Sequence, residues 1–440
     1  MSVRDFRKLF SQRNLDRLYI DKVSNNSAVG VDGVNKEIFS KDKRKELRII
    51  SSRAISGNYK FTRYSPKLIS RGPDKNPRIV SIPTIRDRIA LRALHHYLRN
   101  IYSSEAPPYP HTVIKNVVST IEGASNDECM IRIDVKDFYP SIRWELLKDQ
   151  LSKKVHSKSI IQFILRSVQN STYKKKNPKM GIPQGLSVSN ILSHIYMIPV
   201  DEKIQKYVPK YYRYVDDVLI FCERQKAESI FYFLKEIFYI YSLNIHELES
   251  NSGKSEIKEI YDKIDYLGYS VAKNYIGIRK SSITKFYNSI VDVLYKEKRK
   301  NKTDLNIIYK INLRITGCIW KEKRVGWIFY FQQTEDIYQL KKIDLFIKEF
   351  LISKKIDVDV VNLKKMTRSY YQIKHHINNT KYIPNFDKFD IDQKRDYLLK
   401  MGVFSSDNLI KMNDDQIKDE FTKIITKEAS EMEQDLFNWS

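Results

Sequence analysis

The stretch RYVDDVLIF sets two adjacent carboxylates, Asp216 and Asp217, between apolar and β-prone runs. Aspartate is a poor strand former, and neighbouring carboxylates repel each other. A hairpin tip can hold such a pair, and a bound dication removes the electrostatic cost. The pattern therefore predicts a metal site on a rigid turn, completed by a third carboxylate from elsewhere. Asp134 is the candidate, because it follows the apolar strand MIRI and precedes the turn KDFYPSI. Taken singly, the DD pair also reads as a surface turn and Asp134 as a helix cap. Asp137, three residues on, is expected to cap the following segment rather than to bind metal.

Three carboxylates on such a frame can hold two Mg²⁺ ions about 3.5–4 Å apart, with Mn²⁺ as a substitute. One ion lowers the pKa of an attacking 3′-hydroxyl, and the other offsets charge on a leaving pyrophosphate. That is nucleotidyl transfer. The charge balance fits a polyanionic partner: 78 Lys and Arg against 53 Asp and Glu give +25. Nucleic acid is the first choice and an anionic membrane surface the second. No apolar run reaches the roughly 18 residues of a membrane span, and MSVRDFRKLF lacks the apolar core of a signal peptide. A cytoplasmic location is expected. Cys129, Cys222 and Cys318 stand far apart, form no CxxC pair and make no zinc pattern with the histidines. Each reads as a small buried hydrophobe in a reducing compartment.

Residues 1–60 read as mostly helical, with a turn around NNSAVGVDGVNKEIF. Strand, turn and strand follow over 61–82, then a helix across DRIALRALHHYLRNIY. SSEAPPYPHT at 103–112 reads as a loop marking a boundary between lobes. MIRIDV is a strand, and helical periodicity begins near Trp144 and continues through 158–168. A long helix is expected at about 186–208, a hairpin at 211–222, a helix at 225–241, and a final hairpin in KIDYLGYSVAKNYIGI. From about 282 the chain reads as helical almost throughout.

Five segments, in order, resemble the reverse transcriptases, especially the bacterial branch of group II intron, retron and phage-defence enzymes. They are RIDVKDFYPSI, GIPQGLSVSNILSHIYM, YVDD, KSEI at 254–257 and DYLGY at 265–269. Upstream, RGPDKNPRIVSIPTIRDRIALRAL resembles the fingers motifs and SAVGVDG an element of intron-type enzymes. The resemblance implies an α+β right hand: fingers and an N-terminal extension over 1–130, and a palm of antiparallel sheet plus helices over 131–280. Part of the fingers would be interleaved at about 145–180. A helical thumb would span 281–355, followed by a mostly helical region, 356–440.

By resemblance, Asp134, Asp216 and Asp217 are the catalytic metal ligands. Arg78, with Lys75 or Arg71, would contact the incoming triphosphate, because a guanidinium fork matches phosphate oxygens. Tyr139 would lie under the sugar and clash with a 2′-hydroxyl; the alternative is a core tyrosine. Gln184 would touch the incoming nucleotide or the template, and Gly185 would let the backbone approach that pair. Lys254 would donate a proton to pyrophosphate, or is a surface lysine. Tyr266, Leu267 and Gly268 would form the primer grip. The runs YKEKRKNK and KEKR would grip a duplex backbone or are solvated faces, and GWIFYF reads as thumb core.

No RNase H or zinc-bearing nuclease pattern follows the thumb. The resemblance therefore implies a dedicated-template enzyme, most like the phage-defence reverse transcriptases. Its implied partners are an RNA template, its DNA product, a structured noncoding RNA, and a second defence protein or reverse transcriptase; homo-oligomerisation is open. A retron-type or intron-maturase-like enzyme is the near alternative, given Ile315-Thr316-Gly317 beside the retron Val-Thr-Gly element. An RNA-directed RNA polymerase and an RNA-binding scaffold with little polymerase activity are further readings. Tyr370 and Tyr371, in a basic setting, are candidate priming hydroxyls.

Overall fold

The alternating apolar residues of ECMIRIDVK make a nine-residue strand, and the sheet of the first unit is built around it. The computed structural model describes residues 3–24, 28–70, 77–170, 172, 179–249, 254–357 and 363–437. The chain divides into two units, one of residues 1–109 and 127–257, the other of 110–126 and 258–440. The first crossing falls inside the proline-rich stretch. Lys75 and Arg71 lie outside the described residues.

In the first unit, β1 (Ser65–Ile69) and β2 (Arg78–Ile82) form an antiparallel pair. The main sheet contains β3 (Glu128–Lys136), β4 (Tyr211–Tyr214), β5 (Asp217–Glu223) and β6 (Asn244–Ile245), in the order β4-β5-β3-β6, and β7 (Glu256–Glu259) also pairs with β3. The β3–β5 register runs from Glu128↔Glu223 to Asp134↔Asp217. It buries Cys129, Met130, Ile131 and Ile133 against Val218 to Cys222. Cys129 and Cys222 are not apart, as their sequence separation suggested. They face each other across this pair with 3.8 Å between Sγ atoms, as free thiols.

The helix Ile85–Ile101 starts where Thr84 accepts from the Asp87 amide, a standard N-cap. Asp87 is fully buried, and burial pushes its carboxyl up even though Tyr59 Oη (2.7 Å) and the Thr62 amide (2.8 Å) donate to it. Phe6, Phe10 and Phe163 pack edge-on and stacked beside it, within 5.8 Å between ring centroids.

In the second unit, β8 (Ile264–Tyr266), β9 (Tyr269–Ala272) and β10 (Tyr275–Ile278) form a three-stranded antiparallel meander, not the single hairpin expected. β11 (Cys318–Trp320) and β12 (Lys323–Val325) form a separate pair. The remaining described secondary structure is helical. The loop expected through residue 112 instead gives way to the helix Pro110–Glu122. Proline suits a first helical position, because its missing N–H would be unsatisfied there anyway. The expected class, α+β with antiparallel sheet followed by a helical region, is the class observed.

A charge network ties three helices of this unit together: Lys280–Lys298, Asp304–Thr316 and Asp414–Phe437. Glu297 is 1% exposed and accepts from Lys300 (2.9 Å) and Lys310 (3.1 Å); Lys310 also reaches Glu428 at 3.1 Å. Burial alone would raise the Glu297 carboxyl, but the two ammonium groups hold it below its usual range. Lys296 pairs with Glu431, Lys298 donates to the Lys354 carbonyl and Lys302 to that of Gly402. Much of the basic run 295–302 is thus engaged inside the protein. The GWIFYF stretch supplies core: Trp327, Ile328, Phe329 and Phe331 are buried.

Gly317 ends its helix at φ 61°, and a Cβ there would sit 2.4 Å from the Val325 carbonyl oxygen. Gly326 backs onto it, 2.6 Å from the Gly317 Cα if it carried a Cβ. The Ile-Thr-Gly motif thus has a packing reason here. Gly317→Ala is expected to destabilise the protein by about 2–4 kcal/mol, through left-handed strain plus backbone overlap. A denaturant midpoint unchanged from wild type would contradict this.

Candidate active site

β4 and β5 are joined by a two-residue turn, Val215-Asp216, with Tyr214 paired to Asp217. Val215 has φ 58°. A β-branched residue rarely adopts that conformation, and such outliers collect at functional sites. The turn carries Asp216, the β3–β5 register sets Asp217 opposite Asp134, and the three expected carboxylates are brought to one end of one sheet. Asp216 is half-buried. Its carboxyl is pushed up to about 6, first by burial, then by Asp217 and Asp134, with Arg78 opposing.

In the ligand-free arrangement these side chains do not converge. Asp217 meets Arg132 at 3.4 Å, and an Asp134 oxygen lies 3.6 Å from His246 Nε2. Among the described residues no three His, Cys, Asp or Glu side chains are grouped closely enough to hold an ion as they stand. The donor set nevertheless fits a hard dication: oxygen ligands only, with an anion that burial and like charge disfavour.

The turn is held by residues that the sequence did not single out. Arg213 donates to the Val215 carbonyl (2.9 Å) and, through Nε, to Asp201 (2.7 Å); a second bond to Asp201 makes the pair two-pronged. Arg213 Nη2 also lies 3.2 Å from His194 Nδ1, and His194 Nε2 is 2.7 Å from the Glu105 carbonyl. The guanidinium can only donate, so Nδ1 accepts and the proton sits on Nε2. Burial, then Arg213, lowers His194 to about 4, which keeps the ring neutral as this arrangement needs. Tyr211 adds a 2.8 Å bond to Asp201. The available signal was an arginine two residues before the turn and an aspartate on the preceding helix; nothing in the sequence joined them.

Arg78, at the start of β2, donates through Nε to the Gln184 side chain, and the Gln184 carbonyl accepts from the Ser81 amide (2.8 Å). Gly185 has φ 93°, and a Cβ would stand 2.4 Å from Val80 Cγ1. Its missing side chain therefore lets the Pro-Gln-Gly loop close onto β2. Tyr139 is buried and donates its hydroxyl to Asn190. Burial, then the Asp216 charge, raises its pKa, so it stays protonated. Lys254 is exposed, and its neighbour Ser255 accepts from the Asp134 amide (3.3 Å). Asp137 stands at the N-cap position of the short helix Phe138–Ser141, as expected, with a left-handed φ of 44°; its carbonyl accepts from the Ser141 amide (3.0 Å), but its side chain makes no capping bond.

Tyr266, Leu267 and Gly268 belong to the other unit, where Leu267-Gly268 turns β8 into β9 with positive φ at both residues. Tyr330 donates to the Leu267 carbonyl (2.8 Å), and the Gly268 carbonyl accepts from the Arg279 amide (2.9 Å) and Ser282 Oγ (3.1 Å).

Residues 70–271 match the family model described as reverse transcriptase (RNA-dependent DNA polymerase). The similarity to that family covers just under half of the chain. Two curated relatives match the chain. One is the COX1/OXI3 intron 1 protein of Saccharomyces cerevisiae, 26% identical over 179 residues, which is 38% of this chain and 21% of that protein. The other is protein YkfC of Escherichia coli, 22% identical over 191 residues, 40% of this chain and 50% of that protein. The chain thus spans between a fifth and a half of their length. A solved telomerase from Candida albicans, in complex with a fragment of telomeric RNA, aligns with 90% of this chain and 66% of its own at 13% identity and a TM-score of 0.43.

Asp201→Asn should leave the fold intact but loosen the Val215-Asp216 turn. We expect kcat to fall about tenfold or more, because a charge-assisted two-pronged contact is lost. In chelator, Asp216→Asn should be at least as stable as wild type, since it removes a disfavoured charge. A clear loss of thermal stability in metal-free Asp216→Asn would show that the carboxylate is structural.

Proposed function

We propose that the chain is an RNA-directed DNA polymerase that extends a primer end with dNTPs on an RNA template. The observation that carries this is the β3–β5 register, which sets Asp134 opposite Asp217 beside the Asp216 turn in a domain of the reverse transcriptase family. Asp134, Asp216 and Asp217 would hold two Mg²⁺ ions, which when bound activate the primer 3′-hydroxyl and neutralise pyrophosphate.

The protein's own groups do the rest. Arg78 offers its guanidinium to the triphosphate, with Gln184 fixing the direction of that fork. Tyr139, braced by Asn190, presents a ring edge to the sugar and disfavours a 2′-hydroxyl. The 3′-oxygen attacks the α-phosphorus, the bond to the β-phosphate breaks, and Lys254 would donate a proton to the departing pyrophosphate. The Tyr266-Leu267-Gly268 turn holds the primer strand. The basic excess favours the template and product backbones without reading their sequence. In this reading the fingers and N-terminal extension would span 1–130, the palm 131–280, the thumb 281–355 and a C-terminal helical region 356–440.

For the biological setting, we infer a dedicated noncoding RNA template in antiviral defence, in the cytoplasm, with a second defence protein as the kind of partner such enzymes use. The match to an intron-encoded protein favours a second reading, an intron-maturase-like reverse transcriptase. Among the described residues no helix is long and apolar enough to cross a membrane.

The test is primer extension on an RNA template with dNTPs or NTPs, beside Asp216→Asn/Asp217→Asn. We expect dNTP incorporation that the double variant loses by at least about a thousandfold. Equal use of NTPs would favour an RNA polymerase, and unchanged activity in the double variant would remove the carboxylates from the mechanism. Sequencing the nucleic acid bound to the protein in its native host separates the settings: one enriched noncoding RNA with complementary DNA supports defence, intron RNA the maturase-like reading.

A further inference from the structure

The helix Met366–His375 and residues 376–382 lie outside the reverse transcriptase domain. They line an open surface depression of about 460 Å³, bordered by, among others, Arg368, Gln372, Asn379, Thr380, Lys381 and Tyr382. No carboxylate lines it. Arg368 and Lys381 are exposed, and no ion pair among the described residues engages either.

Positive charge is crowded here. The Arg368 guanidinium lies 4.7 Å from the Tyr382 ring centre and the Lys364 ammonium 5.0 Å from it. Lys364 Nζ donates to the Tyr382 carbonyl (2.6 Å), and burial, then Arg368, lowers its pKa to about 8. The nearby carboxylate, Asp344, is already committed to the amides of Met366 and Thr367 and to the Thr367 hydroxyl. At the other end of the helix, where carbonyls would repel an anion, the Gln372 and His376 carbonyls accept from the amides of His376, Asn379 and Thr380.

Beside the pocket lies a row of exposed rings. Tyr371 is 53% exposed, and its ring centre is 4.7 Å from that of His375 and 5.4 Å from that of His376. Its neighbour Tyr370 is different: it is buried and donates its hydroxyl to the Thr334 carbonyl (2.7 Å), which removes it as a priming group. An acidic polypeptide would need only the cations. Amide side chains that both donate and accept, set between cations and beside exposed rings, match a phosphate, a base edge and a base face together.

We propose that this surface binds an unpaired stretch of RNA, with a phosphate between Arg368 and Lys381, a base edge on Gln372 and Asn379, and a neighbouring base on Tyr371 and His375. The proposal deepens the function above by giving the RNA a second hold, and it rests on the reading that the chain works on RNA. That hold is separate in sequence from the polymerase motifs.

The test is photocrosslinking of a short single-stranded RNA carrying 4-thiouridine to the full chain, with excess unlabelled RNA–DNA template–primer filling the polymerase site. Crosslinks are expected within 366–382, in wild type and equally in Asp216→Asn/Asp217→Asn, so the result stands even if the chain proves not to polymerise. Arg368→Ala/Lys381→Ala should weaken RNA binding about tenfold, and Tyr371→Ala severalfold, while incorporation on a short template–primer stays within about twofold. Tyr371 is exposed, so its variant reports binding without disturbing the core. Crosslinks confined to other regions, or unchanged RNA affinity in both variants, would overturn the proposal. Equal affinity for DNA of the same sequence would overturn the assignment to RNA.

Discussion

Asp134, Asp216 and Asp217 lie at one end of an antiparallel sheet, where burial and the neighbouring charges disfavour the Asp216 anion. The sheet register fixes two of them, and an uncommon backbone turn fixes the third. Left alone, such a turn would relax. Arg213 prevents this by bonding the Val215 carbonyl while its other nitrogens are held by Asp201 and faced by His194. An arginine suits this position because one planar group can serve the turn, a carboxylate and an imidazole at once. The cluster is therefore carried by a neutral histidine and a desolvated ion pair below it, not by its own contacts.

The same economy recurs at the edge of the site. Arg78 and Gln184 come from segments more than a hundred residues apart, and the close approach at Gly185 is what lets them meet. Tyr139 and Asn190 form a comparable pair. Arg78 and Tyr139 are each held by a side chain from a distant segment. Precise placement of phosphate, sugar and metal demands such bracing, since displacements of about 1 Å are costly in catalysis.

Local pattern made much of this legible. YVDD declared a hairpin because strand-prone residues flank two residues that dislike strands, and MIRIDV declared a strand, which runs on to Lys136. Spatial pairing was not legible. Cys129 and Cys222 seemed unrelated until the register set them face to face, and Asp201 looked like any aspartate on a helix. The basic run at 295–302 seemed a ready nucleic-acid surface, but Glu297, Glu431 and backbone carbonyls take up several of its lysines. The proline-rich stretch hid a helix, because proline reads as a breaker unless its position in the first turn is known. Sequence reports what a residue prefers locally, whereas these cases were decided by partners distant along the chain.

The helix Pro110–Glu122 belongs with residues 258–440, although the first unit's 127–257 lie between them. Its buried face, Val113, Ile114, Val117, Val118 and Ile121, is synthesised long before the rest of that unit. At ribosomal rates of about 5–20 residues per second, this apolar stripe waits roughly ten seconds or more for its partners. During that interval it is a natural ligand for a chaperone. The order of synthesis thus allows the main sheet to close first, before the rest of the second unit has been made.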